Sequence, residues 1–94
     1  MTRLGLTTSD LNTLEIEPNR LDGITLTLVM SHLACADEPD NSSNTAQLSA
    51  FKLAHAKFPA TPASLANSAG IMLGPEYQFD LVRPGAALYG ISTV

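Results

Sequence analysis

Apolar positions along this chain follow two rhythms, one close to the helical period and one close to the strand period, and their alternation lays out the fold. Thr8, Ser9 and Asp10 precede Leu11 and Leu14, the signature of a helix start, and Pro18 stops the helix that follows. After a turn at Leu21-Asp22-Gly23, the run from Ile24 to Met30 is apolar on both alternating sets and rich in β-branched residues. It predicts a strand covered on two faces, leading directly into Ser31-His32. Residues 37–43 are polar, contain Pro39 and predict a loop. Asn44, with Gln47 three positions on, predicts a capping-box-like start for a second helix. Along it Leu48, Phe51, Ala54 and Phe58 repeat at helical spacing until Pro59 and Pro62 end it. Lys52, His55 and Lys57 fall in its later turns, where cations suit the helix dipole, and His55 is expected to be solvated. Ala63 to Ala66 predicts a second strand. Asn67-Ser68-Ala69-Gly70 predicts a turn that opens one helical turn through Met72. Gly74-Pro75 breaks the chain, Phe79 to Val82 predicts a third strand, and Pro84-Gly85 leads into apolar Ala86-Ala87-Leu88-Tyr89.

The order is helix, strand, helix, strand, short helix, strand. This implies an α/β fold of about three parallel strands with crossover helices. Three parallel strands neither close a barrel nor cover both of their edges. The chain therefore looks like the end of something larger, and the small and polar residues at its strand ends fit part of a TIM-type (β/α)8 barrel; the isolated chain is expected to aggregate through its uncovered edges.

Composition supports a piece of something larger. Ninety-four residues allow one small domain or part of one. Charged residues make up 15%, against about a quarter in ordinary domains, so much of the surface is expected to face other protein. The mean hydropathy of +0.12 fits a buried sequence, not a disordered tail. A net charge of −4 with five scattered Lys and Arg leaves no basic stripe for nucleic acid. No apolar run approaches the roughly 18 residues that cross a bilayer, and the N-terminus lacks the features of a signal peptide. A lone Cys35 allows no internal disulfide, and no metal site is expected. The cytoplasm is the expected compartment.

Candidate chemistry gathers where the predicted strands end. In a (β/α) barrel, phosphate is held by backbone amides after the last two strands, on the catalytic face at the strands' C-terminal ends. Asn67 and Ser68 follow one strand; Arg83, Gly85 and Ala86 follow another; His32 follows the first. Arg83 has no evident local carboxylate, because Asp80 alternates to the other face. It is either a ligand anchor or half of a salt bridge to other sequence. Ser68, Gly85 and Ala86 form a candidate phosphate cradle, although Gly85 taken alone equally suits a plain turn. His32 is either a satisfied structural histidine or, by its position, a functional one. Asp37-Glu38 reads as a solvated face, and Tyr77 and Tyr89 as core or rim aromatics. Spacing alone does not rank Arg3.

Four blocks carry a resemblance: Met1-Thr2-Arg3-Leu4-Gly5, Met30-Ser31-His32-Leu33-Ala34-Cys35-Ala36-Asp37-Glu38, Ala66-Asn67-Ser68-Ala69, and Val82-Arg83-Pro84-Gly85-Ala86-Ala87-Leu88-Tyr89-Gly90. In this order and spacing the chain resembles the alanine racemases across nearly its whole length. The resemblance implies a pyridoxal 5'-phosphate (PLP) dependent isomerase that interconverts L- and D-alanine for cell-wall synthesis. It also implies a homodimer whose subunits join a (β/α)8 barrel to a β-rich domain. This chain resembles the later barrel, roughly strands six to eight. The resemblance makes Arg83 the donor to the PLP pyridine nitrogen, which it binds without protonating. It makes His32 the group that orients Arg83, Ser68, Gly85 and Ala86 the phosphate binders, and Asn67 a residue lining the same pocket. Arg3 resembles the arginine that helps bind the substrate carboxylate.

Two family groups have no match. The Schiff-base lysine and the opposing tyrosine base lie in regions of the family that this sequence does not cover. Lys52, Lys57, Tyr77 and Tyr89 fall in the wrong blocks to replace them. The chain alone is therefore expected to be inactive. Met1 coincides with an internal methionine of the family's Gly-Met-x-Arg block, as if a truncated frame opened there. Rival readings are a single-domain PLP-homeostasis barrel, a non-functional gene remnant and, more remotely, a decarboxylase sharing the barrel.

Overall fold

The computed structural model describes residues 5–92. Helix α1 (Thr8–Ile16) is followed by a 3-10 turn at Pro18–Leu21 and an extended segment that becomes strand β1 (Val29–Met30). Then come helix α2 (Ser42–His55), strand β2 (Ala63–Asn67) and the single helical turn α3 (Ser68–Ile71). A 3-10 turn at Pro75–Tyr77 precedes strand β3 (Leu81–Arg83), and another at Ala86–Tyr89 follows it. The three strands are parallel, in the order β1-β2-β3.

Central β2 is buried at its first four residues, whereas β1 and β3 are edge strands that expose Met30 and Leu81. Leu33, Leu48, Phe51, Leu65, Ala69 and Tyr77 form the core, with Val29, Leu73 and Phe79 packed against it. Phe79 has a φ of 48°, which is unfavourable for an aromatic residue. Its ring meets Phe51 edge-on at 5.1 Å, a contact that offsets the cost.

The parallel α/β arrangement matches expectation, but details differ: α2 ends at His55, short of Phe58, and β3 runs over Leu81–Arg83 instead of Phe79 to Val82. The strand expected over Ile24–Met30 pairs only at Val29 and Met30, opposite Ala63 and Ser64. Its partner starts no earlier because Pro62 precedes it, so 24–28 stay extended and unpaired, with Ile24 exposed. Helix α2 begins before the expected capping box: Asn41 is its cap, its side chain accepting from Ser43 N at 2.8 Å. Asn44 and Gln47 instead turn to the preceding loop. Asn44 Nδ2 donates to Glu38 O, and Gln47 Oε1 accepts from Ala34 N. His55 is half-buried, not solvated. It stacks on Phe51, and its Nε2 lies 2.6 Å from Thr61 O, closing the turn that brings the chain back to β2.

Helix α1 is closed by a true capping box. Thr7 N donates to Asp10 Oδ2 at 2.9 Å, and Asp10 N donates to Thr7 Oγ1 at 3.1 Å. The Thr7 backbone N–H, then its hydroxyl, hold the Asp10 carboxyl below its ordinary value. A depressed carboxyl stabilises the fold above its unfolded pKa, near 3.9, and that contribution is lost as pH falls through the folded value. NMR shifts of residues 8–11 are therefore expected to lose helical character on acidification below about pH 4. The Asp10→Asn variant should show no such transition.

Candidate functional site

Two buried serines and one arginine organise the C-terminal end of the sheet. Asn67 caps α3, its Oδ1 accepting from Gly70 N at 2.9 Å. The fit behind this cap is tight. A Cβ on Gly70 would meet Ala66 Cβ at 3.0 Å and Leu33 Cδ1 at 3.1 Å, so glycine lets α3 sit against the core. This places Ser68, only 4% exposed, beneath the turn that follows β3. Its Oγ accepts from Gly85 N at 2.8 Å and from Ala87 N at 3.0 Å. A serine hydroxyl has two acceptor positions and one hydrogen. With both acceptor positions filled, Ser68 has only its O–H left to give, and no described residue takes it.

Arg83 ends β3 and is half-buried. Its Nε donates to Ser64 Oγ at 3.0 Å, and its Nη2 donates to Leu65 O at 3.2 Å and to Ser31 O. All three acceptors are neutral. The ion pairs among the described residues are Arg20–Glu17 and Lys57–Glu15, so no carboxylate there neutralises Arg83. Asp80 instead binds the start of β2, its Oδ2 accepting from Ala63 N at 2.8 Å. Burial lowers the Arg83 pKa from its ordinary value, yet a guanidinium remains charged.

These groups share one open cleft of about 620 Å³, within the usual range for small-molecule sites. His32, Asn67, Ser68, Arg83, Gly85 and Ala86 all line it, so the structure brings together six of the seven residues singled out by sequence. The seventh, Arg3, lies outside the described residues. Gly85 differs in detail from the expected cradle, because its amide is turned onto Ser68 Oγ. The Ala86 amide has no partner among the described residues. Asp37 and Ser92 also line the cleft and had not been singled out as site residues. For Asp37 a signal existed: it lies on the same post-strand loop as His32, although its neighbours Glu38 and Pro39 made that loop look merely solvated.

A sequence model of the family described as "Alanine racemase, N-terminal domain" matches residues 1–93. The chain belongs to this family. It is 53% identical over 92 residues to the catabolic alanine racemase of Mesorhizobium japonicum, covering 98% of this chain and 24% of that protein. It is 56% identical over 90 residues to the alanine racemase of Rhodospirillum rubrum, covering 96% of this chain and 24% of that protein. The fold superposes with a TM-score of 0.92, at 44% identity, on the alanine racemase from Bartonella henselae with covalently bound pyridoxal phosphate. That match covers 99% of this chain and 27% of the other. The chain thus spans about a quarter of the length of these alanine racemases.

No lysine or tyrosine lines the cleft. Lys52 is exposed on α2, and Lys57, beyond its end, bonds Glu15 and Asn12 of α1. Tyr77 is buried in the core, and Tyr89 is 85% exposed. Beside the Asp37 carboxylate at its lining, the cleft presents hydrogen-bond donors and a cation, Arg83, that no described carboxylate pairs with, a set suited to an anion beside an aromatic acceptor.

Proposed function

We propose that residues 1–94 form the later part of the PLP-binding barrel of an alanine racemase and hold the cofactor without supplying either proton-transferring base. The observation that carries this reading is the Ser68 hydroxyl, which two backbone amides restrict to donating into the cleft. A phosphate ester offers only acceptors to such a donor, and a pyridine nitrogen offers one to Arg83. The residues present therefore fit PLP. Ser68 O–H and Ala86 N–H would take the phosphate, with Gly85 holding Ser68 in place. The two hydrogens on Arg83 Nη1, which no described residue accepts, would serve the ring nitrogen. His32 would orient Arg83, Asn67 would shape the wall through its cap of α3, and Arg3 would help bind the substrate carboxylate.

When bound, PLP supplies the electron-withdrawing ring that acidifies the Cα proton of alanine. Arg83 would moderate that withdrawal by hydrogen-bonding the ring nitrogen without surrendering a proton. Moving the Cα proton between faces requires two opposed bases, and none of the chain's lysines or tyrosines reaches the cleft. In the complete enzyme the reading implies a cytoplasmic homodimer that supplies D-alanine to the cell wall. No helix among the described residues is long and apolar enough to cross a membrane.

The test is an amide NMR titration with pyridoxine 5'-phosphate, which lacks the aldehyde and so cannot react with lysines. Ser68, Gly85 and Ala86 are expected to shift on titration, and unphosphorylated pyridoxine at the same concentration should leave them still. Shifts confined to Lys52 and Lys57 would contradict the reading. In deuterium oxide, adding the chain to PLP and L-alanine is expected to leave Cα exchange at the rate of free PLP.

A further inference from the structure

The guanidinium of Arg83 is held by a socket built around an irregularity in β2. Ser64 lies opposite Leu81, but Asn67 lies opposite Arg83, so three steps along β2 match two along β3. One residue too many on β2 is a bulge, and a bulge releases a backbone group from the ladder and re-aims its neighbours. Here the Leu65 carbonyl accepts from Arg83 Nη2 at 3.2 Å. Ser64, at the bulge's N-terminal side, is 0% exposed, and its Oγ accepts from Arg83 Nε at 3.0 Å. Its backbone carbonyl accepts from Ser31 N at 3.0 Å, and Ser31 returns its own carbonyl to Arg83 Nη2. Ser64 thus supports the guanidinium directly through its side chain and indirectly through Ser31.

We propose that Ser64 is a positioning residue for Arg83 beside His32: its buried hydroxyl fixes the guanidinium plane from the Nε edge, presenting Nη1 to the ligand. The inference rests on the cofactor reading of the cleft and adds to it the group that sets the arginine's aim. The chemistry of the anchor matters. A carboxylate at this position would hold the fork as firmly but would neutralise the charge that the cleft offers. A hydroxyl and two carbonyls orient the cation and leave its charge available. An alanine at 64 would free the fork to rotate about the two Nη2 bonds, while the anion-binding groups at Ser68 and Ala86 stay in place.

Two measurements test this on the 94-residue chain, kept dilute enough that its uncovered strand edges do not drive association. The first needs no ligand: Arg83 Nε–H is expected to give a slowly exchanging NMR signal in the unsubstituted chain. Ser64→Ala should accelerate its exchange, and Ser64→Thr, which keeps the hydroxyl, should restore protection. The second compares pyridoxine 5'-phosphate with benzyl phosphate, which has the same anion but no ring nitrogen. One charge-assisted hydrogen bond gives the unsubstituted chain a preference of roughly tenfold for the pyridine compound. Ser64→Ala is expected to collapse that preference towards equality while leaving benzyl phosphate affinity unchanged. If both ligands weaken together, Ser64 is merely structural and the proposal is overturned. An unchanged preference together with unchanged Nε–H exchange overturns it as well. Absence of any phosphate binding by the unsubstituted chain contradicts the cofactor reading instead. In that event the Nε–H exchange alone still decides whether Ser64 holds the arginine.

Discussion

Replacing Arg83 by methionine is expected to abolish the cleft's preference for a pyridine-bearing phosphate and to loosen the sheet. Methionine fills similar space but donates no hydrogen bond. Ser64 Oγ, Leu65 O and Ser31 O then lose the donor that ties β3 to β2 and to the residue after β1. Ser64 is fully buried, so its abandoned oxygen finds no water, whereas Ser31 is exposed and its carbonyl is readily hydrated. A loss of about 1–3 kcal/mol of stability follows. That is a large share of what a small domain has, and it would appear as a lower urea midpoint. Arg83→Lys separates charge from geometry. An ammonium keeps the positive field but cannot span three acceptors set on β2 and just after β1, so phosphate binding should survive and ring preference should not. Equal ring preference in the lysine variant and the unsubstituted chain would contradict the role given to the fork.

The second large effect is expected at Ser68. Ser68→Ala deletes the acceptor for Gly85 N and Ala87 N and the one hydroxyl directed by them. Gly85 is exposed, so its amide recovers a water partner, and the stability cost should stay near 1 kcal/mol. Binding should suffer far more, because both the donor and the arrangement of the 85–87 turn are lost. Pyridoxine 5'-phosphate shifts at Ala86 are expected to vanish up to the solubility limit. Gly85→Ala is the control for this account. An added Cβ there meets nothing within 4 Å and the residue's φ is −129°, so stability should change by less than about 0.5 kcal/mol. Retained titration shifts in Ser68→Ala would remove Ser68 from the phosphate site.

Much of this architecture was legible because chain order and strand ends carry it. Alternating helical and strand rhythms gave three parallel strands, and the small or charged residues at their C-terminal ends proved to share one cleft. That Asp80 is no partner for Arg83 was legible, because strand alternation turns it away, and it binds Ala63 N instead. The shortness of β1 was not, since its residues are as apolar as those of a full strand. What limits it is the late start of its partner after Pro62. Asn44 and Gln47 mimicked a capping box because their spacing suits one, yet tertiary contacts with Glu38 and Ala34 claimed both side chains. His55 looked solvated on a helix whose last turn folds under Thr61. Ser64 was hidden most completely. It is an ordinary serine in a short apolar strand, and no glycine or proline marks the bulge that gives it a partner nineteen residues away.

The central claim is that one cleft grips an acidic tail with Ser68 and Ala86 while Arg83 faces a ring nitrogen. A crystal structure of the chain with pyridoxine 5'-phosphate tests it most directly. The account predicts phosphate oxygens within hydrogen-bonding distance of Ser68 Oγ and Ala86 N, and the pyridine nitrogen within reach of Arg83 Nη1. A phosphate seated on Lys52 or Lys57, or a ring held in the cleft with its nitrogen turned away from Arg83, would contradict it.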